Sequence, residues 1–482
     1  MRPSDPWGGP KILTKKRNGT YTWQVIAGSA ALGLVVAAGA VLAAGPWDNG
    51  QRKAERALAA AGDRTGGAHH GRPTPDGPRP APSAPAVLPA LGTTTHDAPQ
   101  DAAALRDTLA PLIGDPGLGD EVAASVVDTA TGEQLYGQGA TTPMTPASTI
   151  KIATATAALS VLGPDHRIAT TAALSPDSRT VTLVGGGDPT LSRAALRAMA
   201  ADTADALREE DRDSVRLAYD ISRYTGPVLH PISPNENIAP VTALMVNEGR
   251  LDDTDRGTAE RSEDPAGDAV RTFAAALKKA GVKVSGAPRE ARAAEEARTV
   301  ATHRSAPLDA LVERTLTNSD NDIAEALARQ TAIAKGESAS FAGARRAVTN
   351  ELKKLKVPMA GAHFADGSGL DRRDRATPAL LTALLARAAD PDRPGLRPVL
   401  TGLPIAGFSG TLGGRYAPDA AGTGLIRAKT GTLRGVNSLA GTVVDRQGRL
   451  LAFAFLASGS IDAGQAEPAL DALATALAGT GG

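Results

Sequence analysis

Ser148-Thr149-Ile150-Lys151 sets a hydroxyl three residues ahead of an amine. The pair opens an apolar run over 150–159, after Thr145-Pro146-Ala147. A proline ahead of a hydroxyl residue and an apolar run predicts the start of a helix. The run is apolar on nearly every side, so this helix is expected in the interior of a domain. On one helix face, Ser148 and Lys151 can touch. Burial and nearby positive charge both lower a lysine's pKa, and the neutral amine can then take a proton. The chemistry implied is a nucleophile with its base. A serine N-cap beside a snorkelling lysine gives the same four letters, so the motif needs support from elsewhere.

Two later stretches offer that support. Asn318-Ser319-Asp320-Asn321 falls between predicted helices over 308–317 and 322–334. Residues two apart do not share a helix face, so Ser319 and Asn321 point the same way only from the turn that this break provides. A capped helix–helix loop is the plainer reading of that stretch alone. Ala428-Lys429-Thr430-Gly431-Thr432 ends a predicted strand. Lys429 and Gly431 share one of its faces, Thr430 and Thr432 the other. Glycine there lets a ligand approach the backbone, although an edge strand guarded by lysine has the same look.

The elements that must position these groups come from both ends of the chain. Strands are predicted over 121–128 and from 133, and again over 424–432, 437–444 and 450–457, with a closing helix over 462–478. Strands at both ends with helices between predict an α+β fold, one antiparallel sheet built from N- and C-terminal pieces. Residues 167–305 alternate short strands (180–184, 215–219, 282–284) with charged helices (193–210, 268–280) and read as an inserted α/β domain. Gly185-Gly-Gly-Asp-Pro-Thr190 within it lacks the Gly-Lys-Ser/Thr of a phosphate loop and reads as a turn.

Ahead of these lie 1–22, a basic tail; 23–46, a span; and 47–100, a Pro-rich linker. Residues 25–44 carry no charge and are long enough to cross a bilayer, with Trp23 and Trp47 at the two interfaces. Basic residues before the span predict an N-terminus in the cytoplasm and the rest of the chain outside. A cleaved signal peptide is the alternative, and the length of the apolar stretch favours the anchor. The 482 residues hold 52 basic and 52 acidic side chains, which gives no ground for nucleic-acid binding. Absence of cysteine excludes disulfides and thiolate metal sites. His69 and His70 read as a solvated linker pair. His166, His230, His303 and His363 show no ligand spacing and are expected to be structural or exposed, so no metal or other cofactor is expected.

The trio Ser-x-x-Lys, Ser-x-Asn, Lys-Thr-Gly, in this order and in these contexts, resembles the signature of penicillin-binding proteins and serine β-lactamases. The resemblance covers 101–482, with 101–166 and 306–482 as the catalytic domain. The long gap between the first two motifs, with Ala239-Pro-Val-Thr-Ala-Leu-Met-Val-Asn247, Asp366-Gly-Ser-Gly-Leu370 and Leu403-Pro-Ile-Ala-Gly407, resembles the class C low-molecular-mass penicillin-binding proteins. That is the D-alanyl-D-alanine carboxypeptidase/endopeptidase family. The insertion is short for the family, so an inner subdomain is expected to be reduced or missing.

The resemblance implies a transpeptidase-like fold and a penicillin-sensitive hydrolase of peptidoglycan stem peptides, with β-lactam antibiotics as further ligands. It implies that Ser148 attacks, Lys151 takes its proton, and Ser319 protonates the leaving amine. Asn321 bonds the substrate amide. Thr430 and Thr432 bind the terminal carboxylate with the help of the charge of Lys429, which also tunes the path through Ser319, and Gly431 belongs to the same substrate-binding stretch. The N–H groups of Ser148 and Thr432 form the oxyanion hole. Asp366-Gly-Ser-Gly369 offers a second candidate nucleophile, but the resemblance implies a structural loop at the site's edge, and Arg375 is a candidate for a second substrate carboxylate. A β-lactamase is the first rival; the Glu-x-x-x-Asn that its common class uses for deacylation does not occur between Asn321 and Lys429. A wall-associated scaffold without activity is the second.

Overall fold

The computed structural model describes residues 98–479 apart from Pro234 and Ile461. The predicted tail and span, nearly all of the linker, and with them His69 and His70, lie outside the described residues. Among the described residues no helix is long and apolar enough to cross a membrane. In chain order come α1 (Ala98–Ile113), β1 (Glu121–Asp128), β2 (Gln134–Gln138) and α2 (Lys151–Leu162). The next stretch holds β3 (Ala169–Leu174), β4 (Thr180–Val184), α3 (Arg193–Glu209), β5 (Ser214–Asp220), α4 (Pro265–Lys279), β6 (Lys283–Val284), β7 (Arg289–Glu290) and β8 (Arg298–Arg304). Then follow α5 (Leu308–Asn318), α6 (Asn321–Ala334), α7 (Phe341–Lys354) and α8 (Pro378–Ala389). The chain closes with β9 (Ile426–Leu433), β10 (Val436–Val444), β11 (Leu450–Ser458) and α9 (Ala463–Gly479).

The first sheet has the order β2-β1-β11-β10-β9, antiparallel throughout, so the early and late parts of the described residues meet where β1 pairs with β11. β11 shows how its layers are specified. Alternate residues of a strand face opposite sides. Leu451, Phe453, Phe455 and Ala457 enter one apolar core with Leu105 and Leu109 of α1 and Leu470, Leu473 and Leu477 of α9. Ala452, Ala454 and Leu456 enter the other, with α2, α5, α6 and α8. Small side chains on that second face let α8 pack closely against β11 and β1.

α2 is buried from Lys151 through Leu159 and packs against α5, α6, α7 and α8. It begins later than the sequence suggests. Ala147–Ile150 is a turn of 3₁₀ helix, and the α-helix proper starts at Lys151. In a 3₁₀ turn side chains three apart eclipse, so Ser148 and Lys151 are stacked more directly than on an α-helix.

A second sheet, of order β6-β5-β4-β3-β8, comes wholly from the chain between α2 and α5. β4, β5 and β6 run parallel, joined through α3 and α4, which pack their apolar faces on the sheet. β3 and β8 carry no strong strand pattern. β3 is Ala-Thr-Thr-Ala-Ala-Leu, and β8 is an edge strand with arginines at both ends. Pairing decides them, not propensity.

Candidate active site

The Ala147–Ile150 turn is held against the first sheet by its own residues. Ser438 Oγ of β10 and Thr149 Oγ1 both donate to the Pro146 carbonyl at 2.7 Å. Ala147 takes a left-handed φ of 49°, a strained choice for a residue with a side chain, and this aims Ser148 out of the turn. Gly369 makes that possible, since a Cβ there would lie 2.1 Å from the Ala147 carbonyl oxygen.

Lys151 is 0 % exposed and its Nζ has three partners. These are Ser148 Oγ at 2.9 Å, Asn321 Oδ1 at 2.7 Å and the Ser368 carbonyl at 2.6 Å. In the neutral amine, the two fixed acceptors at Asn321 and Ser368 take the two N–H bonds. The lone pair is then left facing Ser148 Oγ. Burial lowers the Lys151 pKa to about 8, against the opposing pull of Asp366, Asp320, Glu325 and Asp374. A hydroxyl and a partly deprotonated amine in contact make an activated nucleophile.

Ser319 ends α5 in the left-handed conformation, φ 59° and ψ 36°, and Asp320 caps α6 by accepting from Ile323 N–H at 2.9 Å. That break turns Ser319 into the cleft. Asn321 lies in the cleft too, but its amide is already engaged. Its Oδ1 receives Lys151, and its Nδ2 donates to the Asn237 carbonyl at 2.9 Å.

β9 carries the third motif along the same cleft. Lys429 is 0 % exposed and donates from Nζ to the Thr430 carbonyl at 2.8 Å. Burial, and then the charge of Lys151, hold its pKa well below the usual lysine range. Thr430 Oγ1 bonds Thr411 Oγ1 at 2.8 Å, and Thr432 Oγ1 donates to Glu467 Oε1 at 3.3 Å. Ala428 N–H donates to the Pro404 carbonyl and the Ile426 carbonyl accepts from Ala406 N–H. Even-numbered residues of β9 therefore turn their amides away from β10, and Thr432 N–H follows that alternation.

Ser148, Ser319, Asn321, Thr430 and Thr432 thus line one cleft of about 330 Å³. A larger groove of about 660 Å³, beside Asp115, Asp120 and Met144, holds no hydroxyl–amine pair. Arg375 is not brought to the cleft. Its Nη1 is taken by Thr145 Oγ1 at 3.0 Å and by the Arg372 and Asp374 carbonyls at 2.7 Å each, which leaves it a role in fixing the loop.

Two buried charge clusters behind the site escape sequence reasoning. Under Lys151, Asp366 Oδ1 accepts from Ser368 and Gly369 N–H and Oδ2 from Asp371 N–H and His230 Nε2, so it organises the loop whose carbonyl holds the lysine. Burial is the largest single influence and works against that carboxylate, but the His230 bond and charge, with the Asp374 and Gly369 hydrogen bonds, together outweigh it and keep Asp366 ionised. Burial and then Asp366 push Asp374 well above the carboxylate range. Glu325 accepts from Gly367 and Ser368 N–H and pairs with Arg329, itself stacked 4.1 Å over Phe341. The available signal was Glu325 and Arg329, one helical turn apart on an otherwise apolar stretch.

Behind Ser319 and Asn321, Glu248 pairs with Arg250 at 2.9 Å and with Arg314, while Arg261 reaches Asp322 at 3.2 Å. This ties the region inserted between the first two motifs to α5 and α6. His230, Glu325 and Asp366 place ligand-type atoms within 4.8 Å of one another, as do Glu248, Asp320 and Asp322. In the first, Arg329 pairs with Glu325 and His230 with Asp366; in the second, Arg250 and Arg314 pair with Glu248 and Arg261 with Asp322.

Residues 105–256 and 252–479 match the D-Ala-D-Ala carboxypeptidase 3 (S13) family. The chain is 38 % identical over 420 residues to a carboxypeptidase of Mycobacterium tuberculosis, covering 83 % of this chain and 88 % of that protein. It is 31 % identical over 462 residues to a D-alanyl-D-alanine carboxypeptidase of Actinomadura sp., covering 78 % of this chain and 84 % of the other. In fold it is similar to penicillin binding protein 4 of Haemophilus influenzae, with a TM-score of 0.64 at 21 % identity over 76 % of this chain and 98 % of that one. With a sheet built from early and late parts of the described residues, a hydroxyl–amine pair at its edge and a family match across nearly all of those residues, the chain belongs to the D-Ala-D-Ala carboxypeptidase 3 (S13) family.

Proposed function

We propose that this protein is a serine-type D-alanyl-D-alanine carboxypeptidase acting on peptidoglycan stem peptides, with endopeptidase cleavage of D-alanyl cross-links as a second use of the same site. The observation that carries this reading is the fixing of Lys151 Nζ by Asn321 Oδ1 and the Ser368 carbonyl, with Ser148 Oγ in its third direction.

In the first step Ser148 Oγ bonds to the carbonyl carbon between two D-alanines, and its proton passes to Lys151 Nζ. The N–H groups of Ser148 and Thr432 stabilise the oxyanion. The C–N bond then breaks, the terminal D-alanine leaves as an amine protonated through Ser319, and an ester remains on Ser148. Water attacks that ester with Lys151 again as base, which frees the shortened peptide and restores the hydroxyl. Thr430 and Thr432 receive the terminal carboxylate, and the arriving anion favours the ammonium form of Lys429. Asn321 serves the lysine first, and reaches a substrate amide by giving up its bond to Asn237.

For location, the reading is a single-pass membrane protein with residues 1–22 in the cytoplasm, the span over 23–46 and the catalytic region outside, carried on the Pro-rich linker. The support is the charge-free stretch with basic residues before it.

The test is incubation of the full-length protein with a labelled penicillin, followed by mass spectrometry, beside an assay for D-alanine release. A stable adduct on the peptide holding Ser148, with release lost in Ser148→Ala, is the expected result. Rapid turnover of the drug would favour a β-lactamase. Neither adduct nor turnover would leave a non-catalytic scaffold.

A further inference from the structure

Beside Thr432 the cleft already holds a carboxylate. Glu467, in the first turns of α9, lines the cleft with Ser148, Arg415, Thr430 and Thr432. Thr432 Oγ1 donates to its Oε1 at 3.3 Å, and Arg415 Nη1 lies 3.7 Å from its Oε2. A hydroxyl and a guanidinium are the donors that a peptide's terminal carboxylate would seek here.

Arg415 is neutralised without Glu467. Asp471 takes its guanidinium in a fork, from Nε at 3.0 Å and from Nη2 at 2.7 Å. Glu467 is therefore a second and more distant carboxylate on one guanidinium, which leaves a local surplus of negative charge. Its side chain is 34 % exposed against 14 % for Asp471. Glu467 can turn into water by giving up one long hydrogen bond and one screened ion contact, whereas Asp471 stays and keeps Arg415 oriented.

We propose that Glu467 is a resident competitor for the terminal-carboxylate subsite. It holds the donors of Thr432 and Arg415 and is displaced when a peptide ending in a carboxylate binds. The exchange gives these donors the ligand's carboxylate, while Glu467 carries its own charge out into water. It weakens binding of carboxylate ligands by the cost of moving Glu467, and it leaves ligands without that group unaffected. The inference rests on the peptidase reading above, in which Thr432 receives the substrate's carboxylate.

The experiment compares full-length wild type with Glu467→Gln and Glu467→Asp. A peptide ending in D-Ala-D-Ala is the substrate, and the same peptide with an amidated C-terminus is a competitor. Glu467→Gln removes the charge and keeps the size, and the expected result is a KM about 5- to 10-fold lower for the free acid. The inhibition constant of the amidated peptide should be the same in both proteins. Glu467→Asp keeps the charge but withdraws it by one methylene, and should fall between the two. An unchanged or raised KM in Glu467→Gln overturns the proposal, as does an equal gain for the amidated peptide. If wild type neither releases D-alanine nor is acylated at Ser148 by penicillin, the peptidase reading fails first, and this inference with it.

Discussion

Gly431 backs directly onto Ser148: a Cβ built at Gly431 would lie 3.1 Å from the Ser148 nitrogen. It would also lie 2.7 Å from the Pro146 carbonyl oxygen and 2.3 Å from Ser438 Oγ. These atoms belong to the turn that presents Ser148 and to the strand paired with β9. A single methyl at 431 must therefore push β9 away from the turn and open the space between Ser148 N–H and Thr432 N–H. Gly431→Ala is expected to slow acylation by penicillin about 100-fold or more, the scale of losing one oxyanion donor. Thermal unfolding and acylation rate, measured together, check it; a variant acylated at the wild-type rate would show that β9 tolerates the shift.

The Lys151 pKa of about 8 gives acylation a pH dependence. The base must be neutral, so kcat/KM should rise with pH and level off above about 8. Pre-steady-state acylation across pH 6 to 10 reads the midpoint. A flat profile through that range would remove Lys151 as the base.

Lys429 starts with its pKa well below the usual lysine range, because of burial and the charge of Lys151. A carboxylate arriving at Thr430 and Thr432 favours the ammonium form and raises that pKa. Binding of a D-Ala-D-Ala peptide to Ser148→Ala near pH 8 is then expected to take up protons. Calorimetry in two buffers of different ionisation enthalpy counts them, and a count of zero contradicts this account of Lys429.

Asp366 couples the stability of the site to its chemistry. Asn in its place can accept on one side only, so either the Ser368 and Gly369 amides or His230 and the Asp371 amide lose their acceptor. Breaking such a buried charged contact costs about 3–5 kcal/mol. Asp366→Asn should lower stability by that order in urea and slow acylation, because the Ser368 carbonyl would no longer be fixed under Lys151. The folded Asp366 pKa is depressed. Its contribution is therefore present above the unfolded carboxylate pKa and is lost as pH falls through the folded value. The stability gap between wild type and Asp366→Asn should close in acid.

What the sequence determined by itself is local. Three residues separate Ser148 from Lys151, and any helical turn brings them together. Alternation along 428–432 sets Lys429 and Gly431 on one face, and an apolar run around Lys151 requires burial. Nearest-neighbour geometry fixes such relations, so they are legible before folding, as are the strands at both chain ends and the helices on either side of Ser319. Tertiary structure decided the rest. Strands β3 and β8 exist because they pair with each other. Ser368 reaches Lys151 and His230 reaches Asp366 across more than a hundred residues of chain. Asn321 turned to the lysine, Arg375 was drawn into its own loop, and Glu467 entered the cleft from the last helix. Each of these outcomes depends on which distant segments pack against one another, and no spacing along the chain encodes that.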